Sequence, residues 1–177
     1  MLEVGWGVGR GEDLQVAGQS VGCSSVAAGV AGSPALSLLN EVFQTAEFTG
    51  ALSDVNLEAT VFLPTNAAFS SLIAGLRTTK EELLKQKALL TRVLQLHVVP
   101  GRALAVPDLL SSESPLVTLA AETLTVNATE VALGAAIVPP VGRAANILAG
   151  NFRACGAVAH VIDAVLLPTT ASTQGFL

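Results

Sequence analysis

His97 and His160 are the only histidines of this chain, and Cys23 and Cys155 its only cysteines. A zinc site usually gathers such ligands in closely spaced pairs, and no two of these four lie close together, so no metal site is expected. His160 and Asp163 have the residue types of a general base and its orienting carboxylate. They stand three positions apart in a segment that reads as a strand, where such positions face opposite ways, so they cannot work as a pair. Asp163 is expected instead to accept backbone N–H bonds at the turn after the strand. There is no Gly-x-Ser-x-Gly turn to present a nucleophile. Gly5, Gly7 and Gly9 are spaced like part of a phosphate-cradling loop, but no strand precedes them. The two cysteines allow one intramolecular bridge or two separately buried thiols. Asn127-Ala128-Thr129 is a glycosylation sequon, which matters only if the chain is secreted. These residues speak for binding or support, without catalysis and without a cofactor.

Composition narrows the class further. The chain has 177 residues, which suits one domain with a proper core. Only 13% of them are charged, against about 25% in an average soluble domain, while 51% are hydrophobic and none is Tyr. The net charge of −5 and the lack of a Lys/Arg run argue against nucleic acid. The charge-free stretch from Leu14 to Asn40 is long enough to span a membrane, but its Gln, Ser and Gly residues and Pro34 argue for a loop leading into a buried helix. The first fifteen residues, MLEVGWGVGRGEDLQ, lack the basic and apolar regions of a signal peptide.

The elements that must position these residues follow from pattern. Residues 1–22 are Gly-rich and read as a flexible extension. Ser33-Pro34 is a helix start, and Leu38, Leu39, Val42, Phe43 and Ala46 follow at helical spacing. Ala59 to Leu63 is an apolar, β-branched run that predicts a buried strand ended by Pro64. Thr65-Asn66 can cap the next helix, which buries Phe69, Leu72 and Ile73. Thr79 with Glu82 opens a further helix that runs to His97, where Pro100 turns the chain toward extended structure. Short strands are then predicted: Leu116–Leu119 with Thr123–Val126 as a hairpin, Val131–Leu133, Ala136–Val138, Asn146–Leu148, Asn151–Ala154, Ala157–Ile162 and Val165–Leu167. Helices first and strands later predict an α+β domain. The last residues, 169–177, read as a polar tail.

Three of these segments carry a resemblance. They are TVFLPTNAAF at Thr60–Phe69, LLTRVLQLHVVPG at Leu89–Gly101 and AHVIDAVLLP at Ala159–Pro168. In order, spacing and wording they resemble the signature segments of the fasciclin domain, over roughly Ser24 to Pro168, so that residues 23–168 make one domain. The matching positions include Thr60, Phe62, Pro64, Thr65, Asn66, Phe69, His97, His160, Asp163 and Pro168. The resemblance implies a wedge-shaped β-sandwich with several helices packed along one side. It implies a non-enzymatic adhesion or matrix-association module, extracellular or at the cell surface. Its partner would be a matrix or cell-surface protein, a polysaccharide or a second copy. Rival readings are a binder of a small apolar ligand or polysaccharide, and a passive spacer. With no signal peptide at its start, the chain is then expected to be a fragment, the product of an incomplete gene model or a trimmed chain.

Departures from the family pattern refine these expectations. Family adhesion has been ascribed to a Tyr-His segment, which makes Leu96, His97 and Val98 the candidate contact residues, but Leu96 stands where the Tyr would be. Physically, a His at a helix end is expected to bond backbone carbonyls and order the turn. Gly156-Ala157 replaces the usual Asn-Gly, and Gly156 is expected to supply the positive φ of an altered turn. Plant, algal and bacterial members carry Ala-Cys before the last segment, as Ala154-Cys155 does here, and this implies a Cys23–Cys155 disulfide. Secretion would allow a glycan at Asn127.

Overall fold

The structure is a computed structural model that describes residues 15–16, 19–20, 23–112, 115–130 and 133–169. Two short strands, β1 (Gln15–Val16) and β2 (Gln19–Ser20), pair only with each other. The rest of the expected extension and all of the tail beyond Thr169 lie outside the described residues. The helical half comprises α1 (Val26–Ala31), a 3-10 turn (Pro34–Leu36), α2 (Ser37–Thr45), α3 (Thr49–Ser53), α4 (Asn66–Gly75), α5 (Lys80–Lys85) and α6 (Lys87–Leu96). β3 (Ala59–Pro64) is threaded among them. β4 (Val98–Pro100), α7 (Val106–Ser111), β5 (Leu116–Val117), β6 (Thr123–Ala128), β7 (Ala135–Val138), β8 (Ala145–Ala154) and β9 (Ala157–Ile162) complete the domain.

Seven strands form one mixed sheet in the order β4-β3-β9-β8-β7-β6-β5. The α+β expectation holds, but the strands do not split into the two stacked layers of a sandwich. Hydrogen bonding continues through all seven, and the sheet curls until its edges meet: Leu119, just past β5, donates its N–H to Val98 O of β4 at 2.9 Å. The architecture is close to a barrel. β3 and β9, second and third from the β4 edge, lie side by side and parallel, from Thr60 opposite Val158 to Pro64 opposite Ile162.

Alternation along these two strands divides the core. Val61, Leu63, Ala157, Ala159 and Val161 face the helices and join Leu39, Phe43, Phe69 and Leu90 in one cluster. Phe62 and Ile162 face the inside of the curl and pack with Leu109, Leu124, Ile137 and Ile147 in a second. Burial on both faces is why each strand reads as an unbroken apolar run. Each such buried Val, Leu, Ile or Phe side chain contributes on the order of 2 kcal/mol.

The helix starts differ in detail from the sequence reading. Thr65 caps α4 by accepting from Ala68 N–H at 3.2 Å, and Thr79 caps α5 by accepting from Glu82 N–H at 3.2 Å. Ser33 makes no such bond, and its Oγ is buried without a partner among the described residues. The start of α2 is held from another element. Asn66 Oδ1 accepts from Leu38 N–H at 3.0 Å, while its Nδ2 donates to Pro34 O and to Ser37 Oγ.

Four other expectations are corrected. The single helix from Thr79 to His97 breaks at Gln86, whose backbone leaves helical geometry with ψ 61°. The strands expected at Asn146–Leu148 and Asn151–Ala154 are one strand, β8, interrupted by register shifts on either side of Ala149. Val165–Leu167 forms only a single bridge, between Leu167 and Val141. Leu133 lies in a turn, and Val131 and Ala132 lie outside the described residues.

Candidate functional site

The expected disulfide between Cys23 and Cys155 is present and ties the start of the domain to the β8–β9 hairpin. That hairpin turns through Cys155 and Gly156 alone, with Ala154 paired to Ala157. Its left-handed residue is Cys155, with φ 54°, and not Gly156 as the sequence suggested. Gly156 is required for another reason. A Cβ there would lie 2.9 Å from Leu57 O, so the hairpin packs against the chain before β3 only if position 156 has no side chain.

His97 ends α6 and is 2% exposed. Its Nδ1 lies 2.6 Å from Val93 O, and its Nε2 is 3.0 Å from Leu166 N. The amide of Leu166 must donate, so Nε2 is the acceptor and Nδ1 carries the proton. Burial pushes the imidazole pKa down to about 4, against the opposing pull of the Val93 carbonyl. Leu96 and Val98 are buried as well, at 0% and 2%. The three candidate contact residues are therefore interior: they join α6 to β4 and to the segment after β9, and no partner reaches them in the folded domain.

His160, in β9, is the mirror case. Its Nε2 lies 2.8 Å from Leu104 O, and its Nδ1 accepts from Asn151 N–H at 3.3 Å. The proton here sits on Nε2, the opposite tautomer to His97. Burial lowers this pKa too, while the bond to Leu104 opposes the shift. The ring stacks on Phe62 with centroids 5.9 Å apart. A Cβ at Gly150 would come within 2.6 Å of Nδ1, so the glycine in β8 is what lets the strand pass over the imidazole. Asp163 binds Asn146 twice, accepting from its N–H and its Nδ2, both at 2.9 Å, and so clamps the start of β8. His160 and Asp163 thus serve separate bonds and form no catalytic pair.

Thr60 completes the set. Its hydroxyl donates to Arg102 O at 2.6 Å and accepts from Leu104 N–H at 2.9 Å. Asn127 is exposed on β6. Two surface depressions accompany this framework. One, between Leu38, Val42, Phe69, Ile73 and Leu83, is apolar but has only about 10 Å³ of space, far too little for a ligand. The other, of about 140 Å³, is lined by Ala103, Ala105, Asp108, Asn151, Arg153 and Gly156, with Cys155 in its wall. The sequence did not reveal this cleft, because its sides come from segments some fifty residues apart. Among the described residues no group of three His, Cys, Asp or Glu side chains could hold a metal ion. No described helix is long and apolar enough to cross a membrane.

A family model, the Fasciclin domain, matches residues 34–168 of this chain. The chain belongs to the fasciclin domain family. The chain is 36% identical over 140 residues to protein sll1483 of a Synechocystis species, an alignment covering 78% of this chain and 70% of that protein. It is 32% identical over 158 residues to immunogenic protein MPB70 of Mycobacterium bovis, covering 85% and 72% of the two. Among solved structures, a FAS1 domain pair from the insect cell adhesion molecule fasciclin I superposes with a TM-score of 0.72 at 16% identity. That match covers 87% of this chain and 53% of the pair, so this chain spans about half its length and shares its fold. The fasciclin domain family is adhesion-related, and its members are typically extracellular or at the cell surface.

Proposed function

We propose that this fasciclin domain is a non-enzymatic contact module, working outside the cell or at its surface in adhesion or matrix association. One observation carries the reading. The polar side chains that could have done chemistry, Thr60, Thr65, Asn66, His97, His160 and Asp163, are all bonded to the chain itself. They hold loops and helix ends in place, and what they produce is a rigid surface. The Cys23–Cys155 bond fits an oxidising compartment. The exposed Asn127 is open to glycosylation there. Rigid domains with weak individual contacts gain strength through multivalency, and the partner is a matrix or cell-surface protein, a polysaccharide or another copy.

The test is a bead assay at physiological salt with the oxidised domain coupled to the surface. Beads that cluster, or that attach to immobilised matrix protein or polysaccharide, and are released by soluble domain support the reading. Beads that do neither overturn it.

A further inference from the structure

Thr60 and His160 converge from beneath on one stretch of chain, residues 102–105. The threonine hydroxyl holds Arg102 O and Leu104 N–H, and the imidazole holds Leu104 O. The other imidazole nitrogen takes the N–H of Asn151, whose Oδ1 in turn accepts from Val106 N–H at 2.8 Å. β3 and β9 thereby fix the 102–106 loop and the bulged part of β8 relative to each other. The surface above them is the cleft of about 140 Å³. Its far wall is the β8–β9 hairpin, pinned by the disulfide.

Three polar groups of exposed residues line this cleft and are free to meet a ligand, with no protein partner among the described residues. They are the Arg153 guanidinium, the Asn151 Nδ2 amide and the second oxygen, Oδ1, of Asp108, whose Oδ2 accepts from Ala105 N–H. We propose that the cleft binds one acidic sugar residue of a polysaccharide, with Arg153 taking the carboxylate and Asn151 and Asp108 the ring hydroxyls. The proposal rests on the matrix-association reading and narrows its partner to a polysaccharide. A guanidinium pairs with a carboxylate through two parallel hydrogen bonds. A hydroxyl both donates and accepts, so an amide donor beside a carboxylate acceptor is its complement. Arg153 is the cationic side chain of the lining, and the single charge of a sugar carboxylate meets Asp108 and the net charge of −5 less unfavourably than a doubly charged phosphate would. The volume suits a single ring, well below the roughly 300–1,000 Å³ of a site that engulfs a whole ligand. Each site binds weakly and a repeating polymer supplies many.

The test is an NMR titration of the oxidised chain with trigalacturonate, and with cellotriose as the neutral control. Trigalacturonate is expected to shift the amides of Asn151 and Arg153 with a millimolar Kd, while cellotriose leaves them in place. Arg153→Gln weakens binding by about tenfold or more, since a charge-assisted pair is lost. Asn151→Asp keeps the acceptor for Val106 N–H but removes the free donor, and also weakens binding. Both variants should melt like the parent. No shift in the cleft, equal binding of cellotriose, or unchanged binding by Arg153→Gln overturns the proposal. In the bead assay, Arg153→Gln beads that attach to immobilised polygalacturonate like the parent sink the cleft and leave the contact reading standing, whereas parent beads that neither cluster nor attach to any surface sink that reading itself.

Discussion

Acid should weaken this domain through His97, by an amount that follows from its surroundings. The ring is buried, with Nδ1–H on Val93 O and Nε2 accepting from Leu166 N–H. Protonation places a charge in the core and turns Nε2 into a donor facing another donor. The folded pKa is therefore about 4, below the ordinary value of 6.5. Because the folded value is depressed, the unfolded chain binds the extra proton first. Stability is full above about pH 6.5, falls as pH drops through the window, and levels off below about pH 4. At about 1.4 kcal/mol per pH unit, the loss from His97 is about 3 kcal/mol. His160, also lowered by burial, adds in the same direction. Urea unfolding at pH 7, 5.5 and 4.5 measures the loss. With only two histidines, the ring resonances can be followed one by one. Nitrogen shifts should show Nδ1–H for His97 and Nε2–H for His160 at pH 7. A ring that titrates near 6.5, matching tautomers, or stability flat from pH 7 to 4.5 would refute the argument.

Three further outcomes are expected. Replacing both Cys23 and Cys155 by Ala opens a loop of 132 residues, and loop-closure entropy puts the cost at about 5 kcal/mol, read as a lowered denaturant midpoint with the fold retained. Gly156→Ala drives a methyl group against Leu57 O and should cost about 1–3 kcal/mol by the same denaturation, with the disulfide still formed. Asn66→Ala removes three bonds that fasten the start of α2, and should cost about 1–3 kcal/mol while speeding hydrogen exchange at Leu38.

Legibility in the sequence followed the reach of the forces involved. β3 and β9 were readable because both faces of each are buried, and the signal is simply continuous apolar character. β8 was broken in two by the reading because Gly150 interrupts its pattern, and Asn151 beside it was taken as the start of a second strand. Their cause, the His160 ring lying against the strand, is a neighbour ten residues away in sequence. The break at Gln86 has no Gly or Pro to announce it. Helix α7 was missed although its signals were there, with Pro107 in its first turn and Asp108 accepting from Ala105 N–H. Asn66 was placed as a cap for its own helix, and local rules could not foresee that it caps α2. The contact residues Leu96 to Val98 show the hazard of carrying a role by position, since burial alone removes them. The cleft needs loop 102–106 and the β8–β9 hairpin in the same place, and only the sheet order brings them there.

The bond between Cys23 and Cys155 also decides how the domain carries a mechanical load. Tension entering near residue 23 and leaving near Pro168 crosses to the β8–β9 hairpin through sulfur, bypassing the helices and six of the sheet's seven strands. Only the roughly 13 residues beyond Cys155 lie in the stretched path, so the oxidised domain can lengthen by no more than about 45 Å. Reduction would place the whole domain in that path and raise the reachable extension about tenfold. A tether built from such domains behaves as a stiff link while oxidised and as a long, yielding one after reduction.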